Sequence, residues 1–263
     1  MKIITVEQMD RGLAYAEACF ETFRVIDGHI FDWAGHWQRL TLGLSEFGLL
    51  LSPGHDEEVL FACLREAAKV GNDALVRITI SGGERCWGLT RRADESVEPV
   101  VYIQPVAYTA SQPAEFLRLV TWPFALQKKT AKFVADYADT LRALHGSTDA
   151  HVLFEQDGLL LATATANILL YRDHTWCTPP DTAGVLPGRV RNFLIRHQLV
   201  REMPCPVNWL QDCEAMAVCN SGLFIQPVAW IDGVERAEPM AVQHRMLRAL
   251  TDALGTAEGV QLG

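Results

Sequence analysis

QKKTAKFVADYADTLRA, residues 127–143, is the stretch that best predicts the chemistry and the organisation of this chain. It places Lys132 just ahead of a short amphipathic helix on which Tyr137, Leu141 and Leu144 recur at i, i+4 and i+7. We expect one face of this helix to be buried and Lys132 to be held at the entrance of the pocket next to that face. A lysine drawn into a partly desolvated pocket has a lowered pKa and can attack an aldehyde, which is how a Schiff-base lysine works.

A second interpretation of the same stretch is a solvated basic patch. Lys128, Lys129 and Lys132 lie close together in the chain, and charged side chains are mostly exposed. The lysine cluster taken alone favours this interpretation, whereas the motifs in the rest of the chain favour the first one.

The composition is that of an ordinary globular protein. A chain of 263 residues is near the upper limit for one hydrophobic core, so we expect one large or two smaller domains, and the apolar fraction of 49% suffices for either. The net charge of −9 and the pI near 5.4 argue against nucleic-acid and membrane partners, although a local basic pocket could hold a phosphate. No apolar run is long enough for a signal peptide or a membrane span, so we expect a cytoplasmic protein.

The cysteines indicate reduced thiols. The chain has 7, which are scattered and form no CxxC pair, a pattern that fits the cytosol better than disulfides or zinc. We therefore expect no metal, and we interpret Cys19 as a buried structural thiol.

Apolar periodicity and turn signals divide the chain into two domains. The lapse of periodicity at 107–114, AYTASQPA, predicts a linker between an N-terminal α/β domain, 1–106, and a C-terminal domain, 115–263, that carries Lys132. In the first domain we expect a hairpin of 19–25 and 29–31, helices over 33–47 and 57–70, and central strands at 74–81 and 100–104, the second ending before Pro105. In the second we expect strands at 116–120, 151–155 and 215–219, hairpins over 159–171 and 225–231, and helices over 189–198 and 240–254.

Six motifs occur in the order and at roughly the spacings of one enzyme family: DRGLAYAEACFETFRVIDG, HWQRL, the Lys132 segment, ATATANILL, LPGRVR and CNSGLFIQPV. The chain therefore resembles the class IV aminotransferases, also called fold type IV pyridoxal-phosphate enzymes. They include branched-chain and D-amino-acid transaminases and aminodeoxychorismate lyase. The resemblance covers Asp10 to about Gly233. It implies a two-domain α/β (α+β) architecture of fold type IV, with pyridoxal 5'-phosphate between the domains, and a homodimer whose active sites lie close to the subunit interface.

The resemblance implies three contacts to the cofactor phosphate. Arg39 of HWQRL matches the family arginine that holds the phosphate, which a planar guanidinium does through two hydrogen bonds. Gly188, Arg189 and Val190 match a contact in which backbone N–H groups and the helix dipole face the anion, although the family commonly has a hydroxyl residue in place of Val190. Ser221 resembles a third contact. The alternatives are a solvated helix arginine, an ordinary helix start and a turn serine.

The resemblance also implies residues at the reactive end of the cofactor. Lys132 falls on the family's Schiff-base lysine and is the catalytic residue. Tyr137 falls on a tyrosine that meets the cofactor's phenolic oxygen in the branched-chain enzymes, and its alternative role is core packing. Asn167 matches the asparagine of the ExxxxN pattern, and we expect it to secure its hairpin.

The chain departs from the family pattern at the ring nitrogen. Counting back from Asn167, Ala162 stands where the family has a glutamate, which keeps the pyridine nitrogen protonated and makes the ring an electron sink. Glu155 lies seven residues further upstream, and we do not expect it to substitute. An enzyme without this carboxylate should be confined to reactions that need little ring stabilisation, such as an elimination driven by aromatisation of the product.

Further departures touch the substrate side of the pocket. The usual YGDG has become YAEA at 15–18, which introduces Glu17. The arginine and the tyrosine often found in the RG…RGY segment are replaced by Gly82 and Leu89. These changes weaken the case for the family's usual substrates.

Three functions remain open from these residues. We favour a lyase resembling aminodeoxychorismate lyase, which eliminates pyruvate from 4-amino-4-deoxychorismate and leaves 4-aminobenzoate, a folate precursor, because FETFRVIDG and CNSGLFIQPV look most like the lyases. A branched-chain or D-amino-acid transaminase is the alternative, because the spacing of Lys132 and Tyr137 resembles the branched-chain enzymes. The third hypothesis is a homologue that has lost pyridoxal-phosphate chemistry and acts on, or binds, a chorismate-like small molecule.

Overall fold

A computed structural model of the chain describes residues 3, 5–85, 88–90, 98–109, 118–121, 130–145, 152–232, 234–235 and 248–255. The chain forms two compact units. The first comprises Met1–Tyr108 and Thr130–Ala138, and the second comprises Thr109–Lys129 and Asp139–Gly263. The sequence assigned Lys132 to the C-terminal domain, whereas the structure groups it with the first unit.

The first unit is built on a four-stranded antiparallel sheet with the strand order β3-β2-β4-β6. Its elements are β1 (Met9–Asp10), α1 (Arg11–Tyr15), β2 (Ala18–Ile26), β3 (His29–Ile30), α2 (Trp33–Glu46), α3 (His55–Ala68), β4 (Asp73–Ser81), β5 (Glu84–Arg85) and β6 (Val100–Ala107). β1 and β5 pair with each other in a separate ribbon. The predicted hairpin, both predicted helices and the first predicted strand are confirmed.

The core of the first unit follows from the alternation of its strands. Along β4, Val76, Ile78 and Ile80 are fully buried, and the residues between them are only half-buried. Leu40 and Leu44 of α2 join them in one hydrophobic cluster. Burying an aliphatic side chain of this size stabilises a fold by about 1.5–3 kcal/mol, so this cluster fixes α2 against the sheet.

Strand β6 corrects one expectation. We expected a central strand that ends before Pro105, and this was wrong, because β6 continues through Pro105 to Ala107 and pairs Pro105 with Val76. Among the described residues β6 pairs only with β4 and lies at the sheet edge. Proline is tolerated in an edge strand, because the missing N–H can be on the side without a partner strand.

The second unit holds an eight-stranded sheet in which β12-β11-β10-β9-β8-β7 form one path and β13 pairs with both β10 and β14. The elements that follow β6 are β7 (Arg118–Thr121), a 3-10 turn (Val134–Asp136), α4 (Tyr137–His145), β8 (Val152–Gln156), β9 (Leu159–Thr163), β10 (Asn167–Arg172), β11 (Thr175–Thr178), α5 (Arg189–Arg196), β12 (Arg201–Glu202), α6 (Trp209–Asp212), β13 (Ala215–Asn220), β14 (Phe224–Pro227), β15 (Trp230–Ile231) and β16 (Val234–Glu235). Residues 248–255 are helical. The strands and the α5 helix expected in this half are confirmed.

Helix α4 corrects a second expectation. We predicted that Tyr137, Leu141 and Leu144 form a buried face, but Leu141 is 61% exposed. Leu144 packs against a small cluster of the second unit, and Tyr137 is half-buried. Among the described residues of 127–143, Ala131 is fully buried, and it lies ahead of the helix. Lys132 is therefore held by the extended segment before α4 and not by the helix face.

Three further observations concern membrane spans, metal sites and the thiol of Cys19. No helix in the described part of the chain is long and apolar enough to cross a membrane. Among the described residues, no group of three or more His, Cys, Asp or Glu side chains could hold a metal ion. Cys19 is a buried free thiol, as expected, and burial raises its pKa to about 12.

Candidate active site

Lys132 is fixed by its backbone against strand β2. The N–H of Phe20 donates a hydrogen bond to the carbonyl of Lys132 at 3.0 Å, and Phe133 forms an antiparallel bridge with Cys19. Gly43 of α2 makes room for this segment, because a Cβ atom there would lie 2.5 Å from Cβ of Ala131. The close approach of helix, strand and segment sets where the lysine side chain starts.

The lysine side chain meets a buried carboxylate. Nζ of Lys132 lies 3.6 Å from Oε2 of Glu21, and the Glu21 side chain is 0% exposed. Arg39 donates from Nε to Oε1 at 2.6 Å and from Nη2 to Oε2 at 2.7 Å. Nδ1 of His36 lies 2.8 Å from Oε2. His36 and Arg39 are three residues apart on α2, a spacing that puts both side chains on the same face toward Glu21. We call these four residues the Glu21 cluster.

Burial and charge shift the protonation of the cluster. Burial lowers the pKa of Lys132 to about 8, with the positive charges of Arg39 and Arg77 acting in the same direction and Glu21 acting against them. Burial raises the pKa of Glu21, but Lys132, Arg39 and the His36 hydrogen bond outweigh it and hold that pKa well below its usual range. Burial lowers the pKa of His36, so the imidazole is neutral near pH 7. The Lys132 side chain keeps 21% of its surface exposed, so it is not sealed inside the core.

An aromatic and cationic group borders the lysine. The rings of Phe20 and Tyr137 stack with centroids 5.0 Å apart, and Nζ of Lys132 lies 5.5 Å from the Phe20 ring. Cζ of Arg77 lies 3.8 Å from the same ring, and its Nη1 donates to the Tyr137 hydroxyl at 3.1 Å. Tyr137 is therefore a half-buried residue with a polar contact, and simple core packing does not describe it.

The residues expected to hold a phosphate differ in what the structure shows of them. Arg39 is buried and commits two of its N–H groups to Glu21, so it is not the solvated helix residue of the alternative interpretation. In the second unit, Gly188 is the N-cap of α5 and provides no side-chain hydrogen bond to the start of that helix. Val190 is fully buried, and its side chain has no polar group to offer a ligand. Ser221 is buried in the turn that follows β13.

Asn167 makes a structural contact, but its side chain contacts a segment outside the hairpin that we expected it to secure. Its Nδ2 donates to the carbonyl of Leu186 at 2.9 Å, and a Cβ atom at position 188 would clash with its Oδ1. Asn167 thus ties β10 to the segment that opens α5, and Gly188 is required for this approach.

Ala162 sits opposite Asn167 in the pairing of β9 with β10 and is half-buried. Glu155 accepts a hydrogen bond from the N–H of Gly158 at 2.7 Å, so it secures the turn between β8 and β9. A carboxylate engaged in this way fits the expectation that Glu155 does not replace the family glutamate.

The departures on the substrate side belong to one set of contacts in the first unit. Arg11 donates from Nε to Glu17 at 2.6 Å and from its two Nη atoms to the carbonyls of Gly88 at 2.9 Å and Leu89 at 3.0 Å. Arg11 and Glu17 are both buried. A Cβ atom at Gly82 would clash with the Glu17 carboxylate, so Glu17 requires the glycine.

The structure also shows residues that the sequence did not assign. Glu21 lies on the same face of β2 as Cys19 and Phe23, both of which are fully buried. A charged residue in the inward-facing series of a strand is a signal of a buried ion pair, and it was available in the sequence. Arg77 carried no such signal, because half-buried arginines are common in strands that face solvent. Lys128 and Lys129 lie outside the described residues.

Comparison with known proteins gives a consistent result. A sequence model described as amino-transferase class IV matches residues 18–231. A branched-chain-amino-acid aminotransferase of Escherichia coli (strain K12) is 25% identical over 256 residues, covering 89% of this chain and 82% of that protein. A protein of Schizosaccharomyces pombe that is named as a candidate aminodeoxychorismate lyase is 24% identical over 188 residues, covering 70% of this chain and 75% of that protein. The PLP-bound structure of a hypothetical aminotransferase from Mycobacterium tuberculosis has a TM-score of 0.76 at 18% identity, covering 98% of this chain and 95% of that one.

Proposed function

The chain belongs to the class IV aminotransferases, and from that premise we propose that it is a pyridoxal-phosphate enzyme whose reaction is that of aminodeoxychorismate lyase. The fold is the mixed helix and sheet architecture of the fold type IV enzymes, as the sequence predicted. Members of this family bind pyridoxal phosphate. The substrate, the reaction and the residues that carry it are the proposal.

The state of Lys132 is the observation that carries the proposal. A lysine with a pKa of about 8 has a substantial share of free amine near neutral pH, which an ordinary exposed lysine lacks. The Lys132 side chain is partly exposed, and its amine lies beside the fixed carboxylate of Glu21. Such an amine can attack an aldehyde and can later hold or move a proton at Nζ.

The residues present fit the aldehyde and the phosphate of the cofactor. Lys132 suits the aldehyde, and Tyr137, whose hydroxyl is oriented by Arg77, is proposed to contact the phenolic oxygen. Helix α5 begins after its N-cap Gly188, and we propose that the positive end of its dipole and the backbone of Gly188, Arg189 and Val190 face the phosphate. Ser221 and Arg39 are proposed as the other phosphate contacts. When bound, the cofactor supplies an electron sink and a point of covalent attachment.

The residues do not offer the usual partner for the ring nitrogen, since position 162 is alanine and Glu155 is engaged at a turn. This difference supports the lyase. Elimination of pyruvate from 4-amino-4-deoxychorismate produces an aromatic ring, and aromatisation drives the reaction with little help from the cofactor ring. The S. pombe relative is consistent with this assignment.

A transaminase is the second candidate. Tyr137 lies beside Lys132 at the spacing found in the branched-chain enzymes, and the E. coli relative carries that activity in its name. A homologue without pyridoxal-phosphate chemistry is the third, and it predicts no covalent attachment of the cofactor.

Borohydride labelling tests the cofactor part of the proposal. The purified chain is incubated with pyridoxal phosphate, reduced with borohydride and mapped by peptide mass spectrometry. We expect the label on Lys132, because its pKa is lowered and the fold orients its amine. A label on Lys128 or Lys129 would show that the motif register is wrong. Absence of any label, in a chain that is folded by circular dichroism, would favour the third candidate.

An activity assay then separates the first two candidates. The cofactor-loaded chain is supplied with 4-amino-4-deoxychorismate, and 4-aminobenzoate and pyruvate are measured. A parallel reaction contains a branched-chain or a D-amino acid with 2-oxoglutarate. We expect the elimination to be the faster reaction and the Lys132→Ala variant to lose it. Transamination at a higher rate than elimination would assign the chain to the transaminases.

We also propose a cytoplasmic homodimer, on the strength of the family resemblance. Light scattering should give twice the chain mass of 29.3 kDa. A mass of one chain at micromolar concentration would contradict the dimer.

A further inference from the structure

The proposed chemistry gives no role to two members of the Glu21 cluster, Glu21 and His36, and Glu21 is the one that contacts Lys132. Its side chain is completely buried and receives two hydrogen bonds from Arg39 and one contact from His36. Burying a carboxylate is costly, and the cost is recovered only where several partners satisfy its oxygens. Arg39 and His36 contact the two oxygens, and the positive charge of Lys132 near Oε2 further favours the ionised carboxylate. This attraction is mutual, so the fixed carboxylate also acts on the Lys132 amine.

The geometry of the cluster makes Glu21 rigid. Its backbone lies in the middle of β2, where Glu21 pairs with Ile78 of the central strand β4. Its two oxygens are held from α2 by Arg39, and His36 is held against Phe23 with ring centroids 5.4 Å apart. A carboxylate fixed in this way by a strand and a helix provides a stationary point for the flexible lysine side chain.

We propose that Glu21 is a positioning residue that acts through Lys132: it anchors the Lys132 amine at Oε2, and it sets how readily that amine gives up its proton. The inference rests on the proposed function, in which Lys132 is the reactive amine. Glu21 itself touches neither cofactor nor substrate in this assignment.

The groups that face the Lys132 amine come from three elements. Among the described residues, the charged groups that act on the Lys132 amine are Glu21 on β2, which is negative, and Arg39 on α2 and Arg77 on β4, which are positive. His36 is neutral near pH 7 because its pKa is lowered. Removing the charge of Glu21 leaves the ammonium beside two arginines. The protonated form of Lys132 then loses its stabilising partner, and its pKa must fall further.

The test is the pH profile of Lys132 in the Glu21→Gln variant. The full chain, without added cofactor, is pulsed with acetic anhydride across a pH series, and the labelling of Lys132 is followed by peptide mass spectrometry. We expect a wild-type midpoint of about 8 and a lower one in the variant, with at least about a tenfold gain in relative labelling below the wild-type midpoint. An unchanged midpoint in folded Glu21→Gln would overturn the proposal and leave Glu21 as a structural partner of Arg39.

Glu17→Gln is the matched control. Glu17 is also a buried glutamate paired with an arginine in the first unit, but it makes its contact to Arg11 and not to Lys132. Its replacement should leave the Lys132 midpoint where it is. A shift of the same size in the control would show that any buried charge change produces the effect, and that would also overturn the proposal.

A second variant covers the case in which Glu21→Gln does not fold. Glu21→Asp keeps a negative charge in the cluster for Arg39 and His36. Its side chain is shorter by one methylene, so the carboxylate lies closer to β2 and farther from Lys132. Its midpoint should lie below that of the wild type, and a midpoint equal to the wild type would count against the anchoring role. Failure of the proposed function shows itself separately, because borohydride would then leave Lys132 unlabelled in the wild type.

Discussion

At the scale of single residues, the proposed function gives position 162 the largest effect on which reactions the cofactor can support. A carboxylate beside the ring nitrogen keeps that nitrogen protonated and lets the ring accept negative charge from the substrate. The side chain of Ala162 has no carboxylate and cannot do this. Ala162 pairs with Asn167 in the sheet, so the polypeptide backbone at this position is regular. The missing group is therefore a side chain alone, which a single substitution can restore.

The Ala162→Glu variant should gain transamination of ordinary amino acids. An ion pair that raises the pKa of the ring nitrogen by one unit is worth about 1.4 kcal/mol, so a gain of roughly tenfold is expected. Steady-state rates with a branched-chain amino acid and 2-oxoglutarate provide the measurement.

Ala162→Gln is the control for this substitution, since it adds the same bulk without the charge. It should not increase the rate. If the wild type already transaminates as fast as Ala162→Glu, the proposed dependence on the ring nitrogen is wrong.

At the scale of elements, the contact between helix α2 and the Lys132 segment depends on Gly43. A Cβ atom at this position would lie 2.5 Å from Ala131 and 2.9 Å from Sγ of Cys19, so neither neighbour leaves room for a side chain. Glycine inside a helix normally costs about 1 kcal/mol relative to alanine. The chain accepts this cost because the helix must approach the segment closely.

The Gly43→Ala variant should therefore be destabilised even though alanine is the better helix former. Overpacking costs about 1–3 kcal/mol, and the 2.5 Å approach to Ala131 is severe, so we expect a cost that exceeds the gain in helix propensity of about 1 kcal/mol. Urea denaturation should show a net loss of up to about 2 kcal/mol in the free energy of unfolding. Ser45→Ala, an exposed change on the same helix, raises the helix propensity without a clash but removes the hydrogen bond from Oγ of Ser45 to the carbonyl of Leu42, so it should change the stability little. A stabilised Gly43→Ala variant would contradict the close packing.

Local sequence signals predicted most elements, and they failed where the partner is distant in the chain. The hairpin of β2 and β3 and the strand β4 follow from short-range features, and both were predicted correctly. The run of β6 through Pro105 depends on its place at the edge, which follows from strand order and cannot be derived from the residues of β6.

The same limit explains what was missed at the site. Lys132, Arg39 and Tyr137 were identified from motifs, and the structure brings them together in the first unit. Glu21, the common partner of Lys132 and Arg39, was left without a role. Its place in β2 signalled a buried ion pair, but the sequence did not identify the partner, because β2 pairs with a segment more than a hundred residues later.

At the scale of the whole molecule, the lowered pKa of Lys132 links stability to pH. Between pH 8 and 10.5 the unfolded chain keeps a proton on Lys132 that the folded chain has lost, so the stability rises with pH in this window. Glu21 stays ionised and His36 stays neutral throughout it. Below about pH 8 both states carry the proton, and the full cost of burying the ammonium is present.

The Lys132→Met variant should lack this contribution. Its stability relative to the wild type should fall as the pH rises through the window, by an amount on the order of 1–3 kcal/mol after allowance for the partial exposure of the amine. Urea denaturation of both chains on either side of the window gives the difference. Parallel pH curves for the two chains would show that Lys132 titrates as an ordinary surface lysine.

The return of residues 130–138 to the first unit bears on how the chain is made. A ribosome delivers the N-terminus first, so strand β2 emerges long before the segment that lies against it. Until that segment arrives, the N–H of Phe20 lacks the Lys132 carbonyl and the gap beside Gly43 stays open. Translation must run well beyond Tyr108 before the first unit can close around its lysine. A nascent chain that stalls at this boundary should remain loosely packed along β2, and it would be an early substrate for chaperones and proteases.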